Sequence, residues 1–358
     1  MSKLRLSLSY DYPEAIQRAI QLFTEETGIQ VDVEVLEHQE QSLLTNFAIH
    51  QTGPDISEVG STWLSNLVSM AAIRPFSDSD VLKVGGQTAF VEGNWETGIC
   101  NNQIHSIPWR GDVRVIDYRR DLLVKAGVDE KSAFSSFGNL RDTVRKLQKL
   151  EDVVPWAMNT AMDSMLIHVI APWIWNADGH LISRDGRRTM FSEPEALAGI
   201  CAFFETFAPA ISSDARDMPD SEASTQFLEG KAAAIISGHW ITDIVHRQGS
   251  DSVMRENLGV VLTPGAQYSG GMNLVIWEHS RRTSDALELV CFLTRSDVQA
   301  KYLPEAGLLP VNKEALMHPP YTTDANYKVL KESVVSGRHL TAVYMWGLVE
   351  DRLFVNNR

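Results

Sequence analysis

The feature that most narrows the fold of this chain lies at its beginning, where apolar spacing switches period twice between Leu4 and Val35. Leu4, Leu6 and Leu8 alternate with polar residues, the pattern of a half-buried strand. "PEAIQRAIQLFTEETG" then sets Ile16, Ala19, Ile20 and Phe23 on one helical stripe, with Pro13 where a first turn accepts it and Gly28 where a helix stops. "IQVDVEVL" returns to alternation through Ile29, Val31, Val33 and Val35. A strand, a helix and a strand in this order predict a parallel pair with a right-handed crossover, the unit from which α/β folds are built.

The pattern repeats in outline. "QSLLTNFAIH" reads as a helix, "DISEVG" as a strand, and Trp63 to Ile73 as a second helix. "QIHSIPWRGDVRVIDYRRDLLVKAG" predicts two strand segments joined through Pro108, followed by a helix that stops at Gly127. From about Phe134 to Ile244 the text is helix-dominated, with the short strand "AAAIISG" before Trp240. A Pro/Gly-rich connection then leads through "SGGMNLVIWEHS" into the helix pair "TSDALELVCFLTRSDVQAKYL". No internal repeat or low-complexity tract interrupts the series. The 358 residues exceed what one hydrophobic core normally takes up, so two lobes are expected. In open α/β sheets ligands sit beyond the carboxyl ends of strands, which directs attention to the loops "SYDYP", "GSTW" and "WRGDVR".

Several classes are excluded or disfavoured. A formal net charge of −14 argues against a nucleic-acid partner, and no Lys/Arg-rich run relieves it. No apolar run approaches the roughly 18 to 20 residues of a membrane-spanning helix. "MSKLRLSLSY" carries a strand pattern rather than a signal-peptide core. The three cysteines, Cys100, Cys201 and Cys291, are far apart and odd in number; they suggest neither a disulfide framework nor a metal site, and are expected as buried small apolar residues. The nucleophile elbow, the phosphate-binding loop and the His-Glu-x-x-His zinc motif are absent, and no cofactor is expected. A glycosidase, which needs two carboxylates in a sugar cleft, remains a formal rival because sequence cannot give their separation.

Three segments carry a resemblance. The first is "FTEETGIQVDVEVL", with its Thr-Gly before an alternating strand; the second is "PDISEVGSTWLSNLVSMAAIRPF". The third is "SGGMNLVIWEHSRRTSDALELVCFLTRSDVQAKYLPEAGLLPVNKEAL", with a Gly-Gly-x-Asn opening and a Gly-x-Leu-Pro-Val close. In this order and spacing the chain resembles the extracellular solute-binding proteins of ABC transporters, family 1, the maltose-binding-protein-like group. The resemblance implies a type II periplasmic-binding-protein fold, two α/β lobes around a ligand cleft with hinge crossings. Mapped here, lobe one would be 1–112 plus 269–303 and lobe two 113–268 plus 304–358, with the last crossing near 303–306. It implies a receptor, expected as a monomer, that captures a mono- or oligosaccharide between its lobes and passes it to ABC permease subunits outside the cytoplasm. Two departures stand against the family pattern: no export signal or lipidated cysteine opens the chain, and it ends at "VYMWGLVEDRLFVNNR", where relatives continue. They leave open a ligand-sensing domain of the same fold within a signalling or regulatory protein.

Sugar binding takes aromatic platforms for the C–H faces of the ring and planar bidentate groups for paired hydroxyls. Trp63, Trp109, Trp173, Trp175 and Trp240 sit on predicted loops, and Trp240 follows "ISGH", where relatives carry a site tryptophan; the alternative for each is a core aromatic. Asp112 falls where the family often places a sugar-binding carboxylate. Arg114, two residues on, would share its face in an extended segment, the alternative being a structural salt bridge. Asn273 is read as a ligand residue or a turn residue, with Gly270 and Gly271 allowing close backbone approach. Asp11 and Tyr12 occupy the first strand-to-helix loop, where Asp11 could equally cap the helix. Glu58 and Glu305 are further candidates. An acidic sugar or other anion is a variant of the same reading, using Arg110 and Arg114.

Overall fold

The computed structural model describes residues 3–9, 12–36, 40–161, 164–183, 185–211, 217–247 and 252–340, together with 343, 346 and 349. Its strands are β1 (Leu4–Ser9), β2 (Val31–Leu36), β3 (Ile56–Gly60), β4 (Ile99–Cys100), β5 (Gln103–Ile104) and β6 (Ile107–Val113), then β7 (Val115–Arg119), β8 (Ala234–Ser237), β9 (Leu258–Leu262), β10 (Ser269–Ile276) and β11 (Leu309–Pro310). They form a six-stranded sheet in the order β11-β6-β10-β3-β1-β2, a three-stranded sheet β8-β7-β9 and the pair β4-β5.

The six-stranded sheet grows from the predicted β-α-β unit. β1 runs parallel to β2, from Leu4 opposite Val31 to Ser9 opposite Leu36, and parallel to β3 on its other side. The intervening helix Glu14–Thr27 buries Ala15, Ile16, Ala19, Ile20 and Phe23, and its end is closed by Gly28, which adopts the left-handed conformation at φ 75°. Strand alternation sorts side chains to two cores. Leu4, Leu6, Leu8, Ile56, Leu274 and Ile276 join the helix face, whereas Val59, Val275 and Trp277 pack with Leu64 and Leu67.

In the three-stranded sheet both neighbours run antiparallel to β7. Ile116, Tyr118, Ala234 and Ile236 face a core with Leu140, Val144, Trp173, Phe203 and Phe207. On the other face Asp117 stands between Ile235 and Val260. Helices Trp240–Arg247 and Ala325–Ser336 lie against β9, the latter fixed by Asn326, whose side-chain amide donates to the Leu258 carbonyl at 3.4 Å.

The chain divides into two units: Met1–Asp112, Ser269–Thr323 and His339–Gly347 form one, and Val113–Tyr268, Asp324–Arg338 and Leu348–Arg358 the other. Residues 304–323 therefore belong to the first unit, not the second as expected, and the late crossing falls at 323/324. The side chain of Gln299 explains why. Its carbonyl accepts from the Val311 and Asn312 amides at 3.1 and 3.0 Å, and its amide donates to the Trp109 carbonyl at 2.8 Å, so the chain after the helix is held where β11 pairs with β6.

Three local expectations also change. Pro108 lies inside β6 rather than joining two strands; on the β11 side only Arg110 and Gly111 are paired, so its missing N–H breaks no bond there. The helix expected from Trp63 to Ile73 is only Leu64–Ser69, because Ala71 turns left-handed at φ 50° and Ile73 bridges to Trp277. Of the cysteines only Cys100 is buried; Cys291 is partly buried and Cys201 exposed.

Candidate ligand-binding site

In the second unit the carboxyl end of β8 turns through Gly238 and His239 into a helix that begins with Trp240. The indole lies against Gly238, where an added Cβ would fall 1.9 Å from the ring, so the turn is open to a tryptophan only because that residue is glycine. Trp240 is half-buried and its indole N–H donates to the Ser224 hydroxyl at 3.3 Å, which fixes the plane of the ring. Arg114, at 0% exposure, places its guanidinium 5.1 Å from the Trp240 ring centre and 5.6 Å from that of Tyr268. It donates to the Val113 carbonyl at 2.8 Å and lies 3.2 Å from His168 Nδ1. The His168 ring stacks on Tyr268 at 4.4 Å with planes 16° apart. The backbone continues the cluster: the Arg114 amide donates to the Tyr268 carbonyl at 3.4 Å, and Tyr268 bridges in parallel to Arg338.

Trp175, near the end of helix Ser164–Asn176, is 7% exposed, and Arg338 sits over its ring at 4.9 Å. Trp173 is a core residue among Phe137, Phe203 and Phe207. Neither offers the open aromatic face expected of a stacking platform. Sequence reasoning missed His168 and Tyr268. The signal for His168 was a single polar residue within the apolar run "MLIHVIAPWIW"; nothing local marks Tyr268, whose role depends on residues 100 or more positions away.

In the first unit the carboxyl ends of β1 and β3 lie side by side. The Ser9 amide donates to Glu58 Oε2 at 2.9 Å, Arg110 pairs with Glu58 Oε1, and Arg110 Nη2 donates to the Ser9 carbonyl at 3.3 Å. Glu58, at 1% exposure, thus ties β3 to β1 and, across β10, to β6. This is a structural network, and it uses the Arg110 charge that the anion reading required. Trp63 precedes helix Leu64–Ser69 at the end of the β3 turn, half-buried and giving no capping bond. Neither capping nor core filling accounts for a tryptophan there. Tyr12 is half-buried against the sheet core, and burial pushes its phenol above the ordinary value. Asp11 lies outside the described residues.

Three other candidates of this unit are packed into it. Trp109 is 2% exposed within the hydrophobic core, so its faces are taken up by packing. Asn273 is likewise 2% exposed and donates to the Thr97 hydroxyl at 3.1 Å. Gly271 serves strand packing: at φ 153° its Cβ position would fall 2.3 Å from the Arg110 carbonyl. Asp112 is half-buried, and the unit boundary separates it from Arg114. Glu305 pairs with Arg18 at the surface. No group of three or more metal-ligating side chains occurs among the described residues.

Two α/β units, each assembled from separated stretches of chain, define the type II periplasmic-binding-protein class. Residues 18–329 match the model of the bacterial extracellular solute-binding protein family, and the chain belongs to that family. A binding protein of Brucella abortus is 21% identical over 355 residues, covering 95% of this chain and 82% of the relative. An ABC transporter-binding protein of Deinococcus radiodurans is 24% identical over 254 residues, 65% of this chain and 60% of the relative. Among solved structures, a solute-binding protein of Thermotoga lettingae bound with α-D-tagatose superposes with a TM-score of 0.86 at 18% identity, covering 98% of this chain and 92% of that one. The maltose-bound MalE3 of T. maritima gives 0.84 at 20% identity, with coverage of 97% and 92%. A solute-binding protein of Agrobacterium radiobacter in complex with ribitol gives 0.81 at 16%, with coverage of 98% and 91%.

Proposed function

We propose that this protein is a carbohydrate receptor that works outside the cytoplasm and hands its ligand to an ABC permease, acting as a monomer and without catalysis. The observation that carries the reading is the Trp240, Arg114, Tyr268 and His168 cluster of the second unit. It combines an aromatic ring in a fixed plane with buried hydrogen-bonding groups, the two elements that sugar faces and sugar hydroxyls call for. Solved neighbours of the same fold hold tagatose, maltose and ribitol, which supports a polyhydroxylated ligand here. Trp63, half-buried at a strand-to-helix turn, is proposed as the aromatic platform of the first unit.

The test is a thermal-shift screen of the purified protein against sugars, sugar acids, polyols, amino acids and inorganic ions. A ligand at 100 times its dissociation constant stabilises the native state by about 2.7 kcal/mol, which is a shift of a few degrees for a protein of this size. A shift confined to sugars or polyols is the expected result; a shift confined to amino acids or inorganic ions would overturn it. Trp240→Ala is expected to weaken the identified sugar by about tenfold or more, roughly 1.4 kcal/mol, measured by calorimetry. Unchanged affinity would remove Trp240 from the site.

A further inference from the structure

Arg338 stands two residues beyond the end of helix Ala325–Ser336, on a backbone fixed by its own amide, which donates to the Gln267 carbonyl at 2.8 Å. Its guanidinium carbon lies over Trp175, 4.9 Å from the ring centre, and Nη2 lies 3.5 Å from His180 Nδ1. Both Arg338 and His180 are exposed. Among the described residues no carboxylate lies within ion-pair distance of Arg338, and Asp178, the nearest acidic residue along the chain to Trp175, is not paired with it. The chain holds 46 acidic against 32 basic residues, so a cation stacked on an aromatic ring with no acidic partner is against the average here.

An ordinary structural role does not account for it. A cation near a helix end commonly satisfies the last carbonyls, but in helix Ser164–Asn176 those of residues 172 to 175 already have donors of their own. The Pro172 carbonyl receives the Asn176 side-chain amide at 2.7 Å, Trp173 and Ile174 receive the Ala177 amide at 3.2 Å, and Trp175 receives the Asp178 amide at 3.2 Å. A guanidinium seated over an aromatic ring keeps its N–H donors at the edge of its plane, the groups that take an oxyanion in a bidentate fork. Arg338 and Arg114 flank the same residue, Tyr268, across two neighbouring backbone segments, so their backbones are roughly 10 Å apart by strand spacing.

We propose that Arg338, seated on Trp175, is an anion-recognising subsite, and that the carbohydrate taken by this protein carries an oxyanion, a carboxylate or a phosphate ester. This rests on the carbohydrate reading above and moves the anion contact from Arg110, whose charge Glu58 takes, to an arginine with open donors.

The experiment is calorimetry on the full chain with matched pairs: glucose against glucuronate and glucose 6-phosphate, galactose against galacturonate, for wild type, Arg338→Gln and Arg338→Lys. Binding of an acid that Arg338→Gln weakens about tenfold to a hundredfold is expected, with Arg338→Lys intermediate because it keeps the charge and loses the fork. Wild-type affinity for that acid should fall as salt is raised, and the Arg338→Gln affinity should depend on salt less. Uronate binding without phosphate binding, or the reverse, identifies the oxyanion. Neutral sugars binding while their acids do not would overturn the subsite and leave the carbohydrate reading intact. Acids binding equally to wild type and Arg338→Gln would remove Arg338 from the site. No binding by either member of any pair would count against the subsite and the carbohydrate reading together, and the unliganded melting temperatures of the variants separate loss of binding from loss of fold.

Discussion

Asp117 sits in the middle strand of the three-stranded sheet at 0% exposure, with neither carboxylate oxygen hydrogen-bonded, between Ile235 and Val260. Two further buried hydroxyls, Thr242 and Ser333, lack partners on the helices that lie against β9. Desolvation raises the Asp117 pKa well above the ordinary carboxylate value, so there is a pH range in which the folded state holds a proton that the unfolded chain has released. The sign follows. Below the unfolded pKa of about 3.9 both states are protonated and the group costs nothing extra; as pH rises from there towards the raised folded pKa, stability falls. Asp117→Val, which matches its cross-strand neighbours, is expected to stabilise the protein by about 1–3 kcal/mol at pH 8 and by less at pH 5, read from urea denaturation at both pH values. An equal effect at both would mean that the charge is not the cause. The thiols give a second residue-level expectation. Burial pushes Cys100 up to about 11 and also raises Cys291, whereas Cys201 is exposed. A thiol reagent at neutral pH should therefore label Cys201 first and Cys100 only after denaturation, as mass spectrometry of peptides would show. Trp240 could be singled out in the sequence because it follows "ISGH", where the family it resembles carries a site tryptophan. Trp109 and Asn273 looked alike on the page but face inward, and which face a strand residue takes depends on register with strands far away in sequence.

At the level of elements, the parts that could be read in advance are those whose period is written in consecutive residues. β1, helix Glu14–Thr27 and β2 were legible for that reason, as were helices Thr283–Thr294 and Ser296–Glu305. Two-residue strands such as β4, β5 and β11 have no period to read and exist because a partner is present. The run through Pro108 misled because the consequence of a missing N–H depends on which side of the strand is paired. The packing of β10 against β6 makes a sharper claim. Gly271→Ala would set a methyl carbon 2.3 Å from the Arg110 carbonyl in a backbone conformation that favours glycine, so a loss of about 2 kcal/mol or more is expected in denaturant titration. Gly127→Ala, which also has positive φ but open space around the Cβ position, should lose less, and the difference isolates the steric part.

For the whole molecule, the two-unit division could be anticipated from length and from breaks in composition, but the assignment of 304–323 could not, because it rests on Gln299 receiving two backbone amides from the following segment. The second unit takes in helix Ala325–Ser336 from late in the chain, and this helix buries Leu330 and Val334. A fragment of residues 113–268 is therefore expected to melt without a cooperative transition and to bind the hydrophobic dye ANS, while the same fragment joined to residues 324–338 by a short flexible linker should recover a cooperative melt. Cooperative unfolding of the bare fragment would show that the helix is dispensable.

The same interleaving of segments sets the order in which the protein can be made. A ribosome that has translated the first 323 residues has produced most of both units and finished neither, since one still awaits Asp324–Arg338 and the other His339–Gly347. At roughly 5–20 residues per second the remaining stretch of this sequence takes on the order of 2 to 7 s to emerge, an interval in which a holdase or a translocation machine can engage the chain before the last segments close the fold.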